Sequence, residues 1–377
     1  MTTLTQASRQ WATRPADERF ESLHALAMYT GYQRQRSRGV VVSSRALAVK
    51  PAPHDELKSL EIHGPNGVGY APTHWSFGQL SRLVNAPPRY LRTLPAPLAA
   101  DCLNYNIQFR RDIEDVGCLL RKNGEDEPIF TAATGPNYGR IWNADIGAML
   151  VDKFGDGVTG PWRVPGEFGK RVEVTKANTT IYASDRDMFV FLADEDRRIE
   201  IPNRRNGQPG SLARGFFVWN SEVGAASLGA AFFLFDYVCC NRIIWGATQY
   251  NEKRIRHTAG APDKWLEEIV PVLDEYSRSS AKPVLETIEA ARQRKLGDKL
   301  DVFLAGRFGK GLVSTLKAVH EREEDRPIET LWDASVAVTA HAKSLTHQNE
   351  RVALERKAGE LLSIPFAPPP AREMVLA

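Results

Sequence analysis

Three short cationic runs are the parts of this chain best suited to chemistry. The first is Tyr32-Gln-Arg34-Gln-Arg36-Ser-Arg38-Gly, with Arg45 and Lys50 beyond it and no acid between Tyr32 and Lys50. Guanidinium groups at alternate positions neutralise phosphates, and a neighbouring tyrosine can stack on a base. A solvated loop that only aids solubility has the same composition. The second run is Arg204-Arg205, beside Gly207, Pro209 and Gly210. It reads equally as a flexible basic loop that reaches phosphates or as an ordinary long hairpin loop. The third is Lys253-Arg254-Ile-Arg256-His257. Three cations in four residues repel one another unless a polyanion, or the acidic helical remainder of the chain, pairs with them. Trp219 is a second stacking candidate beside Tyr32.

Other chemistries find less support. Asn220-Ser221-Glu222-Val223-Gly224 is built of turn residues, and Ser221 has no His/Asp partners in a recognisable order. His24, His54, His63, His74, His257, His320, His341 and His347 are scattered, without HExxH or HxH spacing. Cys102, Cys118, Cys239 and Cys240 contain no CxxC, and the last two sit in an apolar run where buried thiols are expected. Gly306-Arg-Phe-Gly309-Lys-Gly311 is not a phosphate-binding loop. With Leu300–Leu304 and Leu312–His320 it resembles a helix-turn-helix, although the acids of 321–325 would repel a phosphate backbone. The expectation is therefore no catalytic residue, no metal and no cofactor.

The elements that must position these residues follow from pattern. A short helix is expected over Arg19–Tyr29, then the first basic run as an exposed arm leading into a Val40–Val42 strand. Thr73 can cap a helix that ends at Ala86-Pro87-Pro88, and 97–109 forms another. Residues 118–132 read as a hairpin turning at Asn123-Gly124, followed by a helix over 145–154. Strands are expected over 172–185, 188–193, 215–221 and 230–245. Few β-α-β alternations appear, which predicts an α+β fold with a central antiparallel or mixed sheet and flanking helices. From about residue 265 the chain reads as helical. One long helix over Leu331–Leu362 carries Leu331, Val336, Val338, Leu345, Val352, Leu354 and Leu361, a face suited to a homo-oligomer.

The domain reading is 1–70 (helix, basic arm and strand), 71–264 (α+β core), 265–364 (helical) and 365–377 (loose tail). With 377 residues, 42% hydrophobic and 25% charged, the chain can bury a sizeable core. Of the formal net charge of +3, residues before 265 carry +5 and the remainder −2, so any basic face belongs to the first part. The N-terminal residues lack a secretory hydrophobic segment, and the most apolar stretch, Ala225–Phe235, is too short to cross a bilayer. A cytoplasmic protein with no membrane role is expected.

Several phrases taken together resemble the phage/plasmid-like family known as domain of unknown function 932 (DUF932). They are Tyr182-Ala-Ser-Asp-Arg-Asp-Met-Phe-Val-Phe191, Gly215-Phe-Phe-Val-Trp-Asn-Ser221-Glu-Val-Gly224 and Val238-Cys-Cys-Asn241-Arg. Thr330-Leu-Trp-Asp-Ala-Ser-Val-Ala-Val-Thr339 and 351–362 complete the set. The resemblance spans about Trp75 to Leu362. Its most specific part pairs Asn220, Ser221 and Gly224 with Cys239 and Asn241. A His-Asp is expected after the first serine, and Glu222-Val223 stands there instead. The resemblance implies a mobile-element protein without a defined activity. Phage proteins of this size with a β-rich basic core and a helical remainder include single-strand annealing recombinases, an analogy of organisation only.

These readings lead to a nucleic-acid-binding protein for single-stranded DNA in recombination. Arg34, Arg36, Arg38, Arg204, Arg205, Lys253, Arg254 and Arg256 would meet phosphate, and Tyr32 and Trp219 would meet bases. Two alternatives stand beside it. One is an oligomeric structural protein assembled through the C-terminal helices; the other is a hydrolase or modifying enzyme around Asn220, Ser221, Asn241 and His257.

Overall fold

The computed structural model describes residues 15–109, 115–123, 127–166, 171–237, 242–245, 252–345 and 348–364. Its N-terminal half is shaped by one short connection. Strands β1 (Ser37–Ser43) and β2 (Ala48–Ala52) are separated by only four residues. They nevertheless form the opposite edges of a six-stranded sheet. The other strands are β3 (Asp55–His63), β4 (Gly69–Pro72), β5 (Asp115–Asn123) and β6 (Glu127–Thr134), in the order β1-β5-β6-β4-β3-β2. A flat sheet would hold its edges about 24 Å apart. Five Cα steps reach at most about 19 Å. The sheet must curl, and its concave side becomes a cleft. All its pairings are antiparallel except β4 with β6.

Helix α1 (Leu23–Gln35) precedes this sheet, and α2 (His74–Leu83), α3 (Pro88–Leu91) and α4 (Ala96–Phe109) lie between β4 and β5. Thr73 caps α2 as its sequence position predicts, its hydroxyl accepting from Ser76 N at 3.1 Å. Leu80, Leu91, Leu103 and Ile107 from these helices pack on Val49, Ile62, Val116 and Phe130 of the sheet.

Helix α5 (Asn143–Phe154) leads into a second sheet of eight strands: β7 (Trp162–Arg163), β8 (Ile181–Ala183), β9 (Met188–Asp194), β10 (Ile199–Ile201), β11 (Gly210–Asn220), β12 (Leu228–Asp236), β13 (Arg242–Trp245) and β14 (Lys253–Ile255). Its spine is β13-β12-β11-β9-β7, with β10, β14 and β8 pairing to β11, β12 and β9. The central strands β9 and β12 are buried along their whole length. That explains why they read as continuous apolar runs rather than alternating ones. One face packs on α1, α5, α6 (Ala261–Glu268) and α7 (Val270–Arg278) through Leu26, Leu150, Phe216, Phe232, Trp265 and Tyr276. The other carries Phe189, Phe191, Phe217, Trp219, Phe233 and Phe235, all buried.

The remaining helices are α8 (Lys282–Gln293), α9 (Leu300–Phe308), α10 (Val313–Glu324), α11 (Leu331–Lys343) and α12 (Gln348–Leu362). They share a core with Ile199, Ile201, Leu212 and Leu234 of the sheet. A fully buried ion triad ties them there: Arg204 Nη2 meets Glu324 Oε1 at 2.8 Å and Asp236 Oδ2 at 3.0 Å.

The α+β architecture, with mixed or antiparallel sheets and a helical C-terminal region, is as the sequence implies. Five local readings differ, the first being the strand expected over 172–185, of which only Ile181–Ala183 is a strand. The chain builds two sheets rather than one, because β2 and β4 are short and β3 is polar enough to hide. Helix α1 runs on to Gln35, so the first basic run is the end of a helix and the start of a strand rather than a free arm; Gln and Arg continue a helix well. The expected 230–245 strand is split into β12 and β13. Finally, 331–362 is two helices: Leu331, Val336, Val338 and Leu361 are buried in the chain's own core, which removes the face proposed for oligomers. The boundary drawn at residue 70 falls inside β4. The 365–377 tail lies outside the described residues.

Candidate functional site

Side chains alternate across a strand, so the pairing of β1 with β5 decides what faces the cleft. Arg38 sits opposite Leu120, and Val40 opposite Cys118; Leu120 in turn pairs with Phe130 on β6. Lys122 N donates to Arg36 O at 3.1 Å, which places those two residues opposite one another where α1 meets β1. The result is a cleft of about 870 Å³ with an apolar floor and a basic rim. Val40, Val42, Leu47, Ile62, Leu120 and Phe130 form the floor; Arg36, Arg38, Arg121 and Lys122 form the rim; among the described residues no Asp or Glu lines it. Cys118 also lies in the floor, where burial pushes its thiol up to about 12 and leaves it unreactive.

The rim cations differ in what holds them. Arg36 Nε donates to Lys122 O at 2.9 Å, and its guanidinium lies 5.1 Å from the ring centre of Tyr32, which is 48% exposed. Arg121 Nε donates to Ser37 Oγ at 2.9 Å, and its Nη2 pairs with Glu222 at 3.2 Å. Arg38 and the Lys122 ammonium have no carboxylate partner among the described residues.

Behind the rim lies a buried polar hub at the junction of the two sheets. Glu222 accepts from Asn143 N at 2.7 Å and from Arg121, and its backbone oxygen accepts from Arg140. Burial lifts the Glu222 carboxyl above its ordinary range, against the opposing pull of Arg121, the Asn143 amide, Arg140 and Arg34. Tyr138 donates to Ser221 O at 2.8 Å and stacks on His257 with ring centres 4.8 Å apart. His257 Nδ1 lies 3.0 Å from Gly139 O, and burial lowers its imidazole to about 4, so it is neutral at pH 7. Gly139 is required at this approach: a Cβ there would meet Thr258 O at 1.8 Å.

Of the sequence candidates, Arg36 and Arg38 line the cleft and Tyr32 stands beside it. Arg34 is committed next door, paired with Asp145 and 5.4 Å from the Trp142 ring. Arg205 is exposed at a separate depression of about 530 Å³. Lys253 and Arg256 are exposed on and beside β14, while Arg254 pairs with Glu252 and lies 5.5 Å from the Trp219 ring. Two assignments are overturned. Arg204 cannot reach a phosphate, because it is 1% exposed and holds two carboxylates. Trp219 cannot stack on a base, because it is 1% exposed and stacked on Phe217 at 4.8 Å.

The Asn220–Gly224 turn is structural. Asn220 Nδ2 donates to Ile141 O and Asn143 Oδ1, at 2.9 and 2.8 Å. Ser221 Oγ donates to Arg186 O at 2.6 Å and accepts from Ala225 N at 2.9 Å, which commits its proton to a carbonyl rather than a base. His257 rests on Tyr138, not on Ser221. Cys239 and Asn241 lie outside the described residues. Lys122 and Arg121 were not singled out from sequence, and Glu222 only as a departure from the expected His-Asp. The only signal for the first two was the period-2 alternation of Cys118-Leu-Leu-Arg-Lys122, which means little until β1 is known to pair with β5.

Among the described residues, no group of three or more His, Cys, Asp or Glu could hold a metal ion, and no helix is long and apolar enough to cross a membrane. Leu304 of α9 and Leu316 of α10 are buried in the helical core, so the helix-turn-helix resemblance there is a packed helix pair. The chain matches no family model, no curated protein and no solved structure.

Proposed function

We propose that this protein binds nucleic acid, with the phosphate backbone running along the rim formed by α1, β1 and β5. One observation carries the reading: Arg36, Arg38 and Lys122 crowd adjacent strands around a cleft that, among the described residues, no acid lines. Like charges placed opposite on neighbouring strands are destabilising. A phosphate between them reverses the sign of that interaction and releases counterions. Tyr32, with Arg36 against its ring, extends the same surface toward a base.

The reading concerns single strands, because the cations lie at the lip of a concave, apolar surface rather than on a convex ridge. With the phage/plasmid resemblance, we place the activity in single-stranded DNA handling by a mobile element, where annealing is the assay to follow. Fluorescence anisotropy of labelled single- and double-stranded oligonucleotides at two salt concentrations tests it. Replacing Arg38 and Lys122 together by alanine should lower the slope of log K against log salt by about 1.4, or ~0.7 per phosphate contact. Both are exposed or half-exposed, so folding stability should change by less than about 0.5 kcal/mol. An unchanged slope in this double variant removes the rim from the site.

A further inference from the structure

We infer that the apolar inner end of this cleft takes one unstacked nucleobase of the bound strand. The inference rests on the rim reading and adds a second requirement to it. A surface that only neutralised phosphates would need cations on any exposed face. Here they border a concavity whose floor is Val40, Val42, Leu47, Ile62, Leu120 and Phe130, and whose volume of about 870 Å³ is that of a small-ligand site. A floor of this kind rewards an occupant that is flat and largely apolar on its faces and carries negative charge at its edge. A nucleotide meets both conditions: the base goes to the floor and the flanking phosphates to Arg36, Arg38 and Lys122.

The lip supplies orientation. Gly67, at φ +72°, turns the β3–β4 connection over the mouth, so that Asn66 and Tyr70 line it. Asn66 Nδ2 donates to Tyr70 Oη at 3.0 Å, while Asn66 Oδ1 accepts from Val68 N at 3.3 Å. Tyr70 therefore accepts in this contact, and its own hydroxyl proton is available to an acceptor on the edge of the base. In a duplex that edge is paired and the faces are stacked, so only a single strand, or a base extruded from a duplex, can enter.

The test compares three polyanions of matched charge on the full chain: oligodeoxythymidylate, an abasic deoxyribose-phosphate oligomer and linear polyphosphate. Oligodeoxythymidylate should bind about tenfold more tightly than the other two. Val40→Phe, which fills the floor and leaves every cation in place, should abolish that preference while preserving the salt slope. Equal affinity for thymidylate and abasic oligomers, with a normal slope, overturns the base site and leaves the rim reading standing. Failure of all three to bind at low salt overturns both. Should Val40→Phe fail to fold, 2-aminopurine within an oligonucleotide decides the question on the unaltered protein. Its emission should rise on binding as the base unstacks, and an unchanged emission overturns the inference.

Discussion

Arg204 offers the sharpest test of the difference between a cation that binds ligand and one that holds the fold. Its guanidinium donates from Nε and Nη2 to Glu324 at 2.9 and 2.8 Å, and from Nη2 to Asp236 at 3.0 Å. All three side chains are at most 1% exposed. Arg204→Ala would take from two buried carboxylates the guanidinium they share, which costs about 3–5 kcal/mol when one partner of a buried pair is removed. The neighbouring Trp332 ring, 5.6 Å from the guanidinium, adds only a cation–π contribution of about 1 kcal/mol, so the ion triad decides the magnitude. Urea unfolding should show the loss directly. The triple variant Arg204→Met, Asp236→Asn, Glu324→Gln should recover most of it, because neutral isosteres carry no uncompensated charge. Nucleic-acid affinity, measured under conditions where each variant remains folded, should be unchanged. An Arg204→Ala protein of near-normal stability and reduced affinity would refute the reasoning and return this arginine to the binding surface.

Two further perturbations probe the hub behind the rim. His257 has its folded value lowered to about 4 from an ordinary 6.5, with burial the main cause. Between those limits the unfolded chain binds more protons than the folded one, so this group's effect is a stability that rises with pH from about 4 to 6.5 and is flat above. The full span amounts to ~3 kcal/mol before solvent screening is allowed for. His257→Gln should flatten part of that slope in urea midpoints taken at pH 4.5 and 7. Gly139→Ala forces a Cβ to within 1.8 Å of Thr258 O, a backbone atom that cannot swing aside. It should destabilise the protein by about 1–3 kcal/mol in chemical unfolding, and a neutral effect would show that this approach is looser than described.

How much of this was legible in the sequence depended on whether the signal was local. Thr73 as a cap, the start of the helical region near residue 265 and the 118–132 hairpin all follow from residues within a few positions of one another. The long apolar stretches of β9, β11 and β12 announced strands but not their faces, since burial on both sides erases alternation. Composition failed where it treated all arginines alike. Arg38 and Arg204 sit in equally basic phrases, yet one is opposite Leu120 at the rim and the other is locked to a helix 120 residues away. Lys122 was invisible for the converse reason: it becomes the neighbour of Arg36 only after a strand pairing across more than eighty residues.

The Asn220–Gly224 turn shows the same dependence at the level of function. Its residue types suggested chemistry, and its contacts assign it to assembly. Asn220 reaches the start of α5, Ser221 the β8–β9 connection, and Val223 O accepts from Trp75 Nε1 at 3.0 Å and from Gln79 Nε2 at 2.6 Å on α2. Gln79 passes the connection on, accepting from Ala133 N of β6 at 3.1 Å. Glu222 completes the join through Arg121, the one rim cation whose other contact, Ser37, lies on β1. Of the turn's polar side chains, Glu222 bridges the eight-stranded sheet to the curled one through Arg121, while Asn220 and Ser221 tie the turn to α5 and to the β8–β9 connection. A nucleophilic Ser221 would have to give up its bonds to Arg186 O and Ala225 N. Among the described residues the turn meets the cleft through Glu222, which holds Arg121 of the rim from behind.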